Sequence, residues 1–86
     1  MLLGVLKGQG DEGARVGIVT SRRVGSAVTR NRVRRRLREI VRHARPQLVP
    51  GVFLVIIAKS AAAKAQFATI REEWTQLARK AGVLLG

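Results

Sequence analysis

Cysteine is absent from this 86-residue chain, which excludes disulfides, cysteine-ligated zinc and thiol catalysis while leaving the redox compartment open. Tyrosine is absent too, and Trp74, Phe53 and Phe67 are the only aromatic residues. Any core must therefore be built from Val, Leu, Ile and Ala. Carboxylates are scarce: Asp11, Glu12, Glu39, Glu72 and Glu73 are scattered along the chain and form no recognisable acid–base constellation. The single histidine, His43, sits between Arg42 and Arg45 and reads as a solvated helix residue. Ser21 and Ser26 have no evident base partner, and there is neither a metal-ligand spacing nor a phosphate-cradling glycine loop. Long hydrophobic runs are missing as well. The longest, VFLVIIA at 52–58, falls far short of the ~20 residues that a membrane span needs. The opening MLLGVLKG is too short for a signal peptide's apolar region and lacks a basic leader and a small-residue cleavage site. These absences predict a soluble cytoplasmic protein with no catalytic machinery of its own.

What is present in excess is positive charge. Seventeen Lys and Arg stand against five Asp and Glu, a formal net charge of +12, and such an imbalance points to a polyanionic partner, nucleic acid before an anionic membrane. Lys7, Lys59, Lys64 and Lys80 are the only lysines. The rest are arginines, whose planar forks suit phosphate and base edges better than a point charge does.

Eighty-six residues make one domain with one core. Leu2–Leu6 and Arg15–Thr20 read as strands joined by the polar, glycine-rich KGQGDEGA, and a hairpin is the natural expectation. In VGSAVTRNRVRRRLREIVRHARPQL, at 24–48, a helical wheel gathers Val33, Leu37, Ile40, Val41, Ala44 and Leu48 within about 60° of Leu37. Arg32, Arg35, Arg36, Arg38 and Arg42 fall outside that stripe, with Arg34 and Arg45 at its edges, so the helix can bury one face and keep a cationic one in solvent. Arg30 and Asn31 fall in its first turn, Ser26 or Thr29 is the candidate cap, and Pro46 with VPG marks its end. Glu39 is expected to pair with neighbouring arginines such as Arg35, one turn earlier. GVFLVIIAK then predicts a central strand, Val52–Ala58, buried on both faces; Phe53 can be core or line a groove, and its strand pattern favours core. Ser60 is a candidate cap for a second helix whose Phe67, Ile70, Trp74, Leu77 and Ala81 form a core-facing stripe closed by Gly82. Core packing outweighs base stacking as the role of Phe67 and Trp74. The order β-β-α-β-α predicts an α+β fold, a single two-layer sandwich over residues 1–86.

The segment RVGIVTSRRVGSAVTRNRVRRRLRE, Arg15–Glu39, closely resembles the bacterial ribonuclease P protein component. The similarity includes the SRRVG turn, Ala27–Val28, the RNR at 30–32, Arg34–Arg35 and the LRE at 37–39, and it continues more weakly through GVFLVIIAK and the last helix. The resemblance implies the accessory protein subunit of an RNA-based endoribonuclease that removes the 5′ leader from precursor tRNA, with the catalytic centre and its Mg2+ in the RNA. It implies RNA contacts from Arg30, Asn31, Arg32, Arg34, Arg35 and Arg38, with Arg22, Arg23 and Arg42 as further RNA-binding candidates. It also implies a leader cleft between sheet and helices, and a left-handed β-α-β crossover that no sequence pattern reveals. The partners implied are the catalytic RNA and precursor tRNA, with no membrane.

Members of that family normally open with a further basic helix, whose phenylalanine lines the leader cleft, and a longer first strand. Here the chain opens on LLGVLKG, so docking on the RNA is expected to be better preserved than discrimination of the leader. A structural RNA-binding protein of the ribosomal kind is the alternative, against which the ordered RNR motif argues. A membrane-active amphipathic helix is the third reading, disfavoured because a folded domain already uses the apolar face.

Overall fold

The computed structural model describes residues 1–8 and 13–85. Three strands, β1 (Leu2–Lys7), β2 (Arg15–Thr20) and β3 (Val52–Ala58), form one sheet, and two helices, α1 (Ala27–Ala44) and α2 (Phe67–Lys80), cover it. Single 3-10 turns at Arg22–Val24, Arg45–Gln47 and Ser60–Ala63 join them. The element order and the α+β class are as predicted.

The expected hairpin does not form. The strand order is β1-β3-β2, with β3 antiparallel to β1 and parallel to β2. The physical reason lies in β3: VFLVIIA is the most apolar strand, and the centre of a sheet satisfies the backbone on both of its edges. β1 and β2, each interrupted by a glycine, take the edges. Gly8 N–H donates to the Gly51 carbonyl at 2.7 Å, closing β1 against the turn that enters β3. The central part of the predicted β1–β2 loop, with Asp11 and Glu12, lies outside the described residues.

The pairing register sorts the side chains into two sets. On the inner face, Leu3, Ile56 and Ile18 form one cross-strand row and Val5, Leu54 and Val16 the next. These join Val33, Leu37, Ile40 and Val41 of α1 and Ile70, Trp74 and Ala78 of α2 in one core. On the outer face the rows are Leu2–Ile57–Val19, Gly4–Val55–Gly17 and Leu6–Phe53–Arg15. Both helices lie on the inner side, so β3 is buried on one face rather than two. Phe53, expected in the core, is 40% exposed on the other face.

Ser26 is the α1 cap, its Oγ accepting from the Thr29 N–H at 3.3 Å. Gly25, with φ of 142°, makes the bend before it, in backbone space that residues with a Cβ avoid. The helix stops at Ala44, so Leu48 leaves the stripe and forms an isolated bridge with Leu84 while still joining the core. Ser60 does not cap α2. It opens a 3-10 turn, and α2 starts at Phe67 after Gln66, which makes no side-chain cap bond. The carbonyls of Ala63 and Ala65 instead accept from Arg32 and Arg36, and that lateral demand replaces a helical continuation of SAAAKAQ. Gly82, at φ of 73°, ends α2 in the left-handed conformation that a helix C-terminus favours.

Leu37 is fully buried at the centre of the α1 stripe. Leu37→Asp should therefore unfold the domain, because a lone buried carboxylate costs several kcal/mol against a total stability of about 5–15 kcal/mol. Native-like circular dichroism and a retained melting transition in that variant would contradict this packing.

Candidate nucleic-acid interface

α1 carries its charge in two physically different ways. One set of arginines is tied into the fold. Arg32 Nη2 donates to the Ala63 carbonyl at 3.2 Å and Arg36 Nη1 to the Ala65 carbonyl at 3.1 Å, fastening the segment before α2 to the helix. On the opposite flank Arg34 Nη2 reaches the buried Thr20 Oγ1 at 2.8 Å, and its Nη1 reaches Asn31 Oδ1 at 3.4 Å. Arg45 Nη1 donates to the Ala14 carbonyl at 2.7 Å. Each bond satisfies an acceptor that would otherwise need water, and a guanidinium with five N–H groups keeps donors to spare.

The other set faces solvent. Arg35 and Arg38 on α1, and Arg22 and Arg23 in the turn before it, are exposed and have no protein partner among the described residues. Asn31 is exposed beside them. Val28, 77% exposed, lies about two turns before Arg35 and on the same side of the helix. Arg30 is half-buried, as its projection toward the stripe requires, and its Nε is buried with no hydrogen-bond partner.

Glu39 pairs with a neighbouring arginine as expected, but with Arg42 rather than Arg35. It accepts from Arg42 Nε at 3.2 Å and Nη2 at 2.7 Å, and its Oε1 lies 3.0 Å from His43 Nε2. An acidic residue placed N-terminal to its cation is the favoured orientation on a helix, which explains why the later turn wins. The Arg42 hydrogen bond, with weaker help from His43, holds the Glu39 carboxyl below the usual carboxylate range, and the same bond raises Arg42. Among the described residues no three His, Cys, Asp or Glu side chains come together as a metal cluster would require.

The nine predicted contact residues thus lie along both flanks and the outer side of α1, from its first turns to its last, and in the turn before it, but not as equals. Arg22, Arg23, Arg35 and Arg38 are open. Arg32, Arg34 and Arg42 are partly committed, Asn31 supports Arg34, and Arg30 is drawn inward. Sequence patterning did not identify Arg36 and Arg45 as fold-fastening residues, because their acceptors are carbonyls 29 and 31 positions away. It also favoured the core for Phe53, whereas the alternative holds: Phe53 lines a shallow outer-face groove with Leu6, Lys7, Gly8, Gly13, Arg15, Gly51 and Val52.

Comparison with known proteins gives this site its context. The family model described as Ribonuclease P matches residues 1–82. The ribonuclease P protein component of Symbiobacterium thermophilum is 42% identical over 80 residues, covering 93% of this chain and 70% of that protein. Its counterpart in Roseiflexus sp. is 50% identical over 72 residues, covering 83% and 59%. The chain spans about half the length of the Xanthomonas relatives that it matches. Among solved structures, the RNase P protein of Thermotoga maritima superposes with a TM-score of 0.79 at 29% identity, covering 91% of this chain and 74% of that one. A Staphylococcus aureus RNase P protein shares the fold with a TM-score of 0.85 at 22% identity, covering 95% and 74%. No helix among the described residues is long and apolar enough to cross a membrane.

Two consequences separate the open arginines from the tied ones. Arg35→Ala should flatten the slope of log affinity for RNA against log salt by about 0.7–0.9, one phosphate's worth, without moving the melting temperature. Arg36→Ala should instead cost about 1–2 kcal/mol of stability, because the Ala65 carbonyl loses a charge-assisted donor. Independently of these, carbon-detected NMR should find Glu39 titrating below an ordinary glutamate, and Arg42→Gln should move it back up. Its folded pKa is the depressed one, so the pair's contribution is present above the unfolded value and is lost as the pH falls through the folded value.

Proposed function

This chain belongs to the ribonuclease P protein family, and from that premise we propose that it acts as the protein subunit of the tRNA-processing endonuclease, binding the catalytic RNA and the 5′ leader of precursor tRNA. The observation that carries the reading is a rigid helix presenting guanidinium groups that no protein acceptor uses. Arg22, Arg23, Arg35 and Arg38 are the open set, and Arg32, Arg34 and Arg42 retain spare donors. A preformed fork against a phosphate loses less entropy than a flexible one does. Arg30 and Asn31 complete the RNA-facing motif of the family at the N-terminal turn.

The leader, in this reading, does not lie between helices and sheet, because that space is the filled core. It lies on the outer face of the sheet. There the Gly4–Val55–Gly17 row forms a low strip between Leu2–Ile57–Val19 and Leu6–Phe53–Arg15. Such a surface can take a single strand without reading its sequence, and Phe53 offers a ring for stacking. Arg22 and Arg23 connect it to α1.

Hydrolysis of the phosphodiester belongs to the RNA in this proposal, along with the Mg2+ that would activate water and stabilise the leaving oxygen. The protein's own contribution is to offset phosphate repulsion and to hold substrate in register, in the cytoplasm where tRNA matures.

The test is cleavage of precursor tRNA by its catalytic RNA at limiting Mg2+, with and without this chain. Stimulation that falls on shortening the leader is the expected result. Binding to the catalytic RNA with no stimulation would reduce the role to that of a structural RNA-binding protein.

A further inference from the structure

The C-terminal half of α1 forms a feature that the arginine pattern alone does not describe. Between it and β2, the last strand on its side of the sheet, runs a groove of about 330 Å3 lined by Val16, Ile18, Arg38, Val41, Arg42 and Arg45. Spacings of four and three residues align the three arginines along one flank, over about 10 Å at ~1.5 Å per residue. The floor is aliphatic: Val41 is buried and Val16 and Ile18 are half-buried.

Two of the three guanidiniums are oriented by the protein itself. Glu39 grips Arg42 through Nε and Nη2, and the Ala14 carbonyl holds Arg45 through Nη1. Each keeps N–H groups free of those bonds, and Arg38 is exposed with no partner among the described residues. Glu39 is not part of the groove lining, so its charge steadies Arg42 from outside the groove. An aliphatic floor beneath preset cationic forks suits a ligand that is flat and apolar at one end and anionic at the other. The size lies at the lower end of small-ligand clefts, ~300–1,000 Å3.

We infer that this groove binds an unpaired nucleotide of the RNA, its base or ribose against Val16, Ile18 and Val41 and its phosphates on Arg38, Arg42 and Arg45. A paired nucleotide cannot reach the floor, because its base is held within the helix. A peptide adding to the β2 edge fits less well, since Arg45 already occupies the Ala14 carbonyl at the start of that edge and further cations flank it. The inference rests on the reading that α1 binds RNA, and it adds a contact that discriminates single-stranded from duplex RNA.

The test is a methyl NMR titration of the whole chain at about 0.1 M salt with a short oligouridylate, and in parallel with an RNA duplex of the same length. The expected result is movement of the Val16, Ile18 and Val41 methyls with the single strand and little with the duplex. Arg38→Gln should weaken single-strand binding about fivefold at that salt, the equivalent of one released counterion. Ile18→Phe, which fills the groove and leaves the charge unchanged, should abolish the methyl response in a chain whose remaining spectrum stays native. If Ile18→Phe fails to fold, the wild-type titration and Arg38→Gln decide alone. Shifts confined to the Val28 and Thr29 methyls, with the groove methyls still, would overturn the groove assignment and leave the RNA reading standing. Equal methyl shifts with the duplex would overturn the preference for an unpaired nucleotide. No response to either probe, together with no binding to the catalytic RNA, would overturn both readings.

Discussion

Burial of the Val33–Leu37–Ile40–Val41 stripe against the sheet is the constraint from which the rest of the molecule follows. α1 holds arginines at 30, 32, 34, 35, 36, 38 and 42 within 18 residues, and like charges one turn apart oppose helix formation by about 0.2–0.5 kcal/mol per pair. Such a helix is not expected to persist alone in water. Removing four aliphatic side chains from solvent contributes about 1.5–3 kcal/mol for each of the larger ones, enough to outweigh the repulsion. The cationic face exists as a rigid surface only because the opposite face is in the core.

Arginine therefore has two roles on one helix. Where a guanidinium meets a carbonyl or hydroxyl of the fold, as Arg32, Arg34, Arg36 and Arg45 do, it joins the helix to neighbouring segments and spreads its charge over them. Where it meets only solvent, as Arg35 and Arg38 do, its charge is available to a polyanion. Glu39 produces an intermediate case in Arg42: steadied but not buried, with donors still directed outward. Binding RNA would also relieve the repulsion that folding has concentrated, so partner binding and stability reinforce one another.

The sheet has a similar asymmetry. Both helices cover one face, so β3 is core on alternate residues and surface on the others, and Leu2, Leu6, Val19 and Phe53 remain exposed. An apolar face of this kind on a small protein marks a place where something binds. It lies on the opposite side of the sheet from α1, joined to it by the basic turn at Arg22–Val24. A strand of nucleic acid could pass from one to the other without crossing the core.

Much of this was legible in the residues. The wheel placed Val33, Leu37, Ile40 and Val41 in the core and Arg35 and Arg38 in solvent correctly, because helical periodicity depends only on spacing along the chain. A cap at Ser26 or Thr29, which the structure resolves to Ser26, and β3 as the central strand follow from equally local signals. Family membership was legible too, because the SRRVG turn and the RNR motif stand in fixed register over one strand, turn and helix. What the residues could not reveal was everything that depends on which segments meet. A hairpin and a β1-β3-β2 sheet use the same strands, and only competition for the central position selects between them. Phe53 reads as core until both helices settle on the other face. Arg36 reads as solvent charge and Arg45 as the edge of the stripe until carbonyls from distant segments arrive beside them. Periodicity fixes the direction in which a side chain leaves its own element; the tertiary structure decides what it finds there, because the free energy of an arginine or a phenylalanine is set by its neighbours in space.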